Sequence, residues 1–377
     1  DATSATDMHK AVLGALPADV FIGVAAVADW RVANSSDRKI KKDEKATPPS
    51  LQFDRNADIL ACLSAAEQHT LDALLERLQS QASKLVSQGV VGAATGWTDS
   101  TRAQVAVAGL RRLGGTAALE RGDLMAIGSN TKAMTACVAA SVVDQGLLRW
   151  DSTLAQTLPG LAREALPAYQ GVTLRQLLDH RAGVMAFNKP EDVAMFLGEV
   201  GTDVLTRLQE PAEVEDFFLQ WLLRQAPVRG TGADPDFAYS NAGYALAARM
   251  LRAATGQDWA DLLRQRVAQP LGISLFVGEP LRRGSDQPAG HALEGGQLQP
   301  QSLAGAPERA WLEILNPAGA VSLAARDDAL WLQWHLHALK GGATPLPPPV
   351  AFTVRPPPAG YAAGDPPARD AALPLLV

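Results

Sequence analysis

The feature that most constrains this chain is a lysine placed at the threshold of an apolar helix. Ala133 to Gln145 is apolar on nearly every side, the pattern of a buried helix. Directly before it stands Gly128-Ser129-Asn130-Thr131-Lys132. Ser129 and Lys132 are three positions apart, so on a helix they share a face and their side chains can meet. A serine hydroxyl is a weak nucleophile until a base takes its proton. A lysine held beside it in an apolar pocket can lose its own proton near neutral pH and become that base. A helix N-terminus adds backbone N–H groups that favour negative charge. The plain alternative is a capping serine followed by a surface lysine, because a four-residue pattern with two free positions arises by chance in many chains.

The 377 residues, 47% of them apolar, allow a large core and more than one folding unit. A formal net charge of -6 leaves no footprint for nucleic acid. No apolar run reaches membrane-span length, so no membrane partner is expected. Cys62 and Cys137 lie in apolar helical contexts and read as buried hydrophobes. The six histidines are scattered and no His/Cys/carboxylate cluster has metal spacing, so neither metal nor cofactor is expected. No signal peptide is visible, which points to the cytoplasm.

The first sixty residues read differently from the rest. Val20 to Val27 is a near-continuous apolar run, as in a strand buried on both faces of a parallel sheet. It delivers Ala28-Asp29-Trp30 to a loop, and Leu51-Gln52-Phe53 is a candidate second strand. Ala25-Ala26-Val27-Ala28-Asp29-Trp30, Lys39-Ile40-Lys41-Lys42 and Asn56-Ala57-Asp58-Ile59-Leu60 together resemble phosphopantothenoylcysteine synthetase, a nucleotide-binding enzyme of coenzyme A synthesis with a Rossmann-like sheet. The Gly-rich nucleotide-binding turn of that family is not present, so its activity is not carried over. The lysine run reads as a solvated loop. The expected division is a partial synthetase-like α/β segment over 1–66 and a second domain over 67–377.

From about Gln68 a second pattern begins. Leu71 to Val86 reads as an amphipathic helix. Gly89 to Gly96 and Ala103 to Leu110 read as strands joined by a polar turn. Thr173 to Asp179 reads as a short helix, and Glu191 to Gln225 as a mostly helical insertion. Strands at both ends with helices between them suggest an α+β fold, an antiparallel sheet flanked by helices next to an all-helical lobe.

The second chemical motif is Tyr239-Ser240-Asn241, between a Gly/Asp/Pro loop and the apolar-periodic helix Ala242 to Thr255. A tyrosine at such a junction can aim its phenol into a cleft. Beside a lysine ammonium its pKa is expected to fall, so that it takes the Ser129 proton and later returns it to the leaving group. Asn241 is suited to hydrogen-bond Lys132 or a substrate carbonyl. The plain alternative is a tyrosine packed under a loop and an asparagine capping a helix. A Ser-His-Asp arrangement finds no Gly-x-Ser-x-Gly elbow. His180, after an apolar helix, is expected to fix a loop, and Leu330, Trp331 and Trp334 to pack a helix.

Four stretches in order, Ile127 to Lys132, Leu174 to His180, Tyr239 to Tyr244, and Asn316-Pro317-Ala318-Gly319 with Ser322, resemble the β-lactamase-like serine hydrolases, in the style of class C β-lactamases and family VIII carboxylesterases. The resemblance covers about 70 to 340. It implies Ser129 as acyl nucleophile, Lys132 as its partner, Tyr239 as general base, and Asn241 and Gly319 as substrate-binding residues. It implies a small-molecule ester, lactone or amide as substrate. The family's Lys-Thr-Gly or His-x-Gly triplet, whose strand supplies half of the oxyanion hole, is not found after Tyr239. The sequence therefore suggests a C-terminally incomplete member, with the gap covered by the N-terminal segment or by a second copy in a homodimer, or an activity weakened by roughly 10²–10³ for one lost oxyanion donor. Without that triplet's grip on a carboxylate, small esters or lactones are expected ahead of β-lactams or D-Ala-D-Ala peptides. A relic that binds without acylation is the alternative outside catalysis.

Overall fold

In a computed structural model of the chain, the residues described are 30–32, 53–55, 71–99, 102–201, 204, 207–208, 210–228, 236–301, 313–339 and 342–346. The Val20–Val27 run, the lysine run, Cys62 and the Pro-rich tail beyond 346 lie outside them. In the N-terminal segment, β1 (Trp30–Val32) pairs antiparallel with β2 (Phe53–Arg55). Trp30, expected in a loop, thus opens a strand, because its backbone pairs with Arg55.

The main body begins with α1 (Leu71–Ser87), followed by the hairpin strands β3 (Gly92–Thr98) and β4 (Ala103–Gly109), in antiparallel register from Gly92↔Gly109 to Thr98↔Ala103. Alternation sorts the two faces of this hairpin. Thr95 is turned toward α1, where its hydroxyl donates to Leu78 O at 2.9 Å. Its neighbour Gly96 faces the opposite way, toward Ala329 of the last described helix, α7 (Ala325–Leu339). One hairpin is therefore sandwiched between two helices.

A second antiparallel sheet carries the chain into the site. Its order is β5 (Leu124–Ala126), β9 (Val321–Ala324), β6 (Leu275–Val277). A third pair, β7 (His291–Glu294) and β8 (Gln297–Pro300), forms an outlying hairpin. The α+β architecture expected from the sequence is present. Among the described residues its strands are divided among small sheets, because β9 spends its two edges on β5 and β6.

The helical lobe is built around α2 (Thr131–Asp144). Eleven of its residues, Thr131 and Lys132 among them, are buried, as an all-round apolar helix must be. Gly146, in left-handed conformation (φ 71°), closes it. Against α2 and one another pack α3 (Leu174–Leu178), α4 (Pro190–Val200), α5 (Pro211–Arg224) and α6 (Asn241–Thr255). Local signals set their starts. Thr173 and Gln176 form a reciprocal capping box before α3. Pro190 and Pro211 stand at the first turns of α4 and α5. Phe187, Phe196, Phe218 and Trp221 interlock edge-on beneath the loop after α3, with centroids 4.8–6.1 Å apart across the T-shaped pairs. Trp331 and Trp334 on α7 are buried, as expected of helix-packing residues. No helix among the described residues is long and apolar enough to cross a membrane.

Candidate active site

Ser129 sits in a single 3-10 turn, Gly128–Asn130, between β5 and α2. Neither cap of this junction makes a side-chain hydrogen bond, so Ser129 is not a capping serine. Gly128 takes φ 51°, a value glycine accepts without strain. The junction is bolted down from both sides. Ile127 N–H donates to Val321 O at 2.9 Å, and Val321 N–H donates to Thr131 Oγ1 at 3.0 Å. One turn into α2, Thr135 Oγ1 donates to Pro317 O at 2.7 Å and accepts from Trp259 Nε1 at 3.0 Å.

Lys132 is 6% exposed. Its Nζ donates to Asn241 Oδ1 at 2.8 Å and to Ala318 O at 2.7 Å, and lies 3.3 Å from Ser129 Oγ. No carboxylate is among these partners. Burial without a counter-charge pushes its pKa down to about 7. At neutral pH a large share of Lys132 is therefore free amine. Two of its hydrogens are held by Asn241 and Ala318, and the remaining tetrahedral direction faces Ser129.

The hydroxyl of Tyr239 completes the cluster, 2.7 Å from Ser129 Oγ, with Lys132 Nζ 4.7 Å from the tyrosine ring centroid. The expected fall of the Tyr239 pKa does not occur. Burial raises it, and the hydrogen bond to Ser129 offsets only part of that rise. The physical reason lies in Lys132: a lysine titrating near 7 is not the permanent cation that would stabilise a phenolate. The base available at neutral pH is the amine, with a neutral phenol beside it.

Tyr239-Ser240-Asn241 is held by the loop that follows α3. Ala238 N–H donates to His180 O at 2.7 Å, and Asn241 N–H donates to Ala186 O at 2.8 Å. Ser240 N–H donates to His180 Nδ1 at 3.0 Å, Ser240 Oγ donates to Met185 O at 2.7 Å, and Asn241 Nδ2 donates to Phe187 O at 3.2 Å. Ser240 Oγ also accepts from Gly243 N–H at 2.9 Å, capping α6. His180 and Phe187, at the two ends of this loop, have φ of 58° and 50°, uncommon for residues with a Cβ. Between them the loop presents the carbonyls of Met185, Ala186 and Phe187 to this motif.

A cleft of about 450 Å³ opens over Ser129 and is lined by Asn241, Gly319, Glu279, Arg282 and Glu313 among others. Gly319 borders the Gly128 carbonyl: a Cβ there would lie 3.9 Å from it. All five residues singled out from the sequence, Ser129, Lys132, Tyr239, Asn241 and Gly319, thus border one cluster or cleft. The sequence reading missed the Ala318 carbonyl and the carbonyls of Met185, Ala186 and Phe187, since every residue has a carbonyl and none carries a signal. It also missed Glu279, Arg282 and Glu313, which lie in no motif.

A family model described as Beta-lactamase matches residues 66–371. The chain belongs to the beta-lactamase family. Penicillin-binding protein 4 of Amycolatopsis lactamdurans is 33% identical over 149 residues, 39% of this chain and 34% of that protein. The chain spans about a third of the length of the curated relatives of this type that it matches. A D-alanine carboxypeptidase AmpC from Burkholderia cenocepacia shares the fold, with a TM-score of 0.52 at 21% identity over 71% of this chain and 65% of that one. The first 75 residues match a second model, the C-terminal domain of the DNA/pantothenate metabolism flavoprotein. Over 63 residues the chain is 40% identical to the coenzyme A biosynthesis bifunctional protein CoaBC of Vibrio vulnificus (strain YJ016), 16% of each chain. Both resemblances read from the sequence are thus present. Cys137 is a buried hydrophobe of α2, its thiol pushed up to about 12 by burial, and no group of residues suited to a metal occurs among those described.

Proposed function

We propose that this chain is a serine hydrolase that acts through an acyl-enzyme on Ser129, with small esters or lactones as substrates. The observation that carries the reading is the convergence on Ser129 Oγ of a phenol at 2.7 Å and, at 3.3 Å, an amine whose pKa burial lowers to about 7. The Lys132 amine accepts the Ser129 proton, directly or through Tyr239, as Oγ attacks the acyl carbon. The Ser129 N–H, in the turn that leads into α2, is the backbone donor offered to the developing oxyanion. Collapse of the tetrahedral intermediate breaks the bond to the alcohol, which takes its proton from Tyr239, and Tyr239 is reprotonated by Lys132. Water then attacks the acyl carbon by the same route and releases the acid. Asn241 orients Lys132, and Gly319 leaves room for the acyl group beside Gly128.

The preference for esters and lactones rests on the cleft walls. Arg282 faces Glu313 across a short ion pair, and Glu279 adds a second carboxylate at the rim. A carboxylate-bearing β-lactam or peptide meets net negative charge there. The second reading, a β-lactamase or D-Ala-D-Ala peptidase with the same chemistry, is favoured by the family and by the fold relatives. Turnover of p-nitrophenyl butyrate against nitrocefin separates the two. Ser129→Ala is expected to lose both hydrolysis and the covalent adduct with a fluorophosphonate seen by intact mass. Unchanged hydrolysis in that variant would sink the mechanism.

A further inference from the structure

His180 takes no proton in the chemistry above, yet it touches the site at more points than any loop residue needs. It follows α3 in left-handed conformation, with φ 58°. Its carbonyl accepts from Ala238 N–H at 2.7 Å and its Nδ1 accepts from Ser240 N–H at 3.0 Å. One residue thus grips the chain on both sides of Tyr239. Its ring lies against the Tyr239 ring, with centroids 4.5 Å apart and planes 30° apart. Phe237 meets it edge-on at 5.6 Å, and Tyr244 lies tilted against it at 5.3 Å. An imidazole that accepts at Nδ1 carries its hydrogen on Nε2 and is neutral.

We propose that His180 is a positioning residue for acylation: its neutral imidazole, clamped to Ser240 N–H and stacked on Tyr239, sets the phenol against Ser129 and walls the Lys132 amine from water. The inference rests on the Ser129 reading. The groups facing the imidazole are Lys132 on α2, Tyr239 and Tyr244, with Asp179 and Arg181 as its chain neighbours. Burial, with the nearby Lys132 charge, pushes the His180 pKa down to about 3, so the clamp holds across the whole range in which Lys132 titrates. Protonation would place an N–H at Nδ1 against the Ser240 N–H and break it. The two parts of the role are separable. Asparagine at 180 keeps a short acceptor and tolerates φ > 0, but has no ring. Phenylalanine keeps the ring but leaves Ser240 N–H without an acceptor.

The test compares wild type, His180→Asn, His180→Phe and His180→Ala. The readouts are thermal unfolding, the rate of adduct formation with a fluorophosphonate, and the pH dependence of that rate. His180→Ala is expected to acylate roughly 10²-fold more slowly, the scale of a small misplacement of reacting groups. Its acid limb should move above that of wild type, because water reaching Lys132 raises the amine's pKa. His180→Asn should recover part of the rate. A folded His180→Ala that acylates at the wild-type rate with an unmoved limb overturns the inference and leaves the Ser129 reading standing. So does a rate loss with the limb unmoved and His180→Asn no better than His180→Ala. Absence of any adduct on the wild-type protein overturns both.

Discussion

The hydroxyls of Ser129 and Tyr239 lie 2.7 Å apart although 110 positions separate them in the chain. Ser129 arrives from the β5–α2 junction and Tyr239 from the lead-in to α6, and nothing local links the two. Removing only the phenol oxygen isolates the contact. Tyr239→Phe keeps the ring that stacks on His180, so the fold should survive with stability changed by less than about 1 kcal/mol, the net worth of one hydrogen bond. Loss of a proton-transfer group should lower kcat by about 10²–10⁴. Steady-state hydrolysis of p-nitrophenyl butyrate beside a urea titration checks both halves.

Lys132 makes the activity pH-dependent in a stated direction. The working form is the free amine, and its pKa stands near 7. Acylation should therefore climb as pH rises through about 7 and level off above it. For stability the sign also follows from the depressed pKa. Between about 7 and the ordinary 10.5 the unfolded chain binds more protons than the folded one, so this group's contribution is complete above 10.5 and is lost as pH falls to about 7. Lys132→Arg stays cationic throughout and should show no acylation at any pH up to 10. A rate profile for wild type and an adduct assay on the variant test this.

Thr135 ties the helix that carries Lys132 to Pro317, the residue before the Ala318 carbonyl that holds Lys132. Its hydroxyl donates to Pro317 O and accepts from Trp259 Nε1, and all of its surface is buried. Thr135→Val matches the shape and strands one buried acceptor and one buried donor. The expected loss of stability is about 2–4 kcal/mol, from roughly 1–3 kcal/mol per orphaned group. Because Pro317 adjoins Ala318, kcat should fall as well, while Ser129 still labels. Chemical denaturation and single-turnover labelling measure the two effects separately.

Legibility varied with how local the cause was. The α2 helix could be read because its apolar surface runs all round and a glycine ends it. The short helix over 173–179 was legible from its apolar pattern, and the structure adds the Thr173–Gln176 capping box at its start; the cap of α6 is Ser240, where the sequence had offered Asn241. The opposite held for the loop of 180–187, whose path depends on left-handed backbone at His180 and Phe187, residues that do not advertise it. The Tyr239 pKa was misread for a related reason. Beside the phenol Lys132 was taken as an ammonium, while beside Ser129 it was read as an amine that loses its proton near neutral pH; its burial without a carboxylate favours the second of these two readings.

The sequence alone determined the kind of groups in this protein: a serine and a lysine on one helical face, a tyrosine before a second helix, and a family pattern that orders them. Those choices are encoded in spacing and side-chain type, which short-range geometry turns into shared faces and capped ends. The tertiary structure decided how those groups behave. It placed the phenol on the serine, aimed the Ala318 and Asn241 oxygens at the amine, and excluded the water that would have kept Lys132 charged. Desolvation and hydrogen-bond direction arise only when distant segments meet, so no window of sequence contains them.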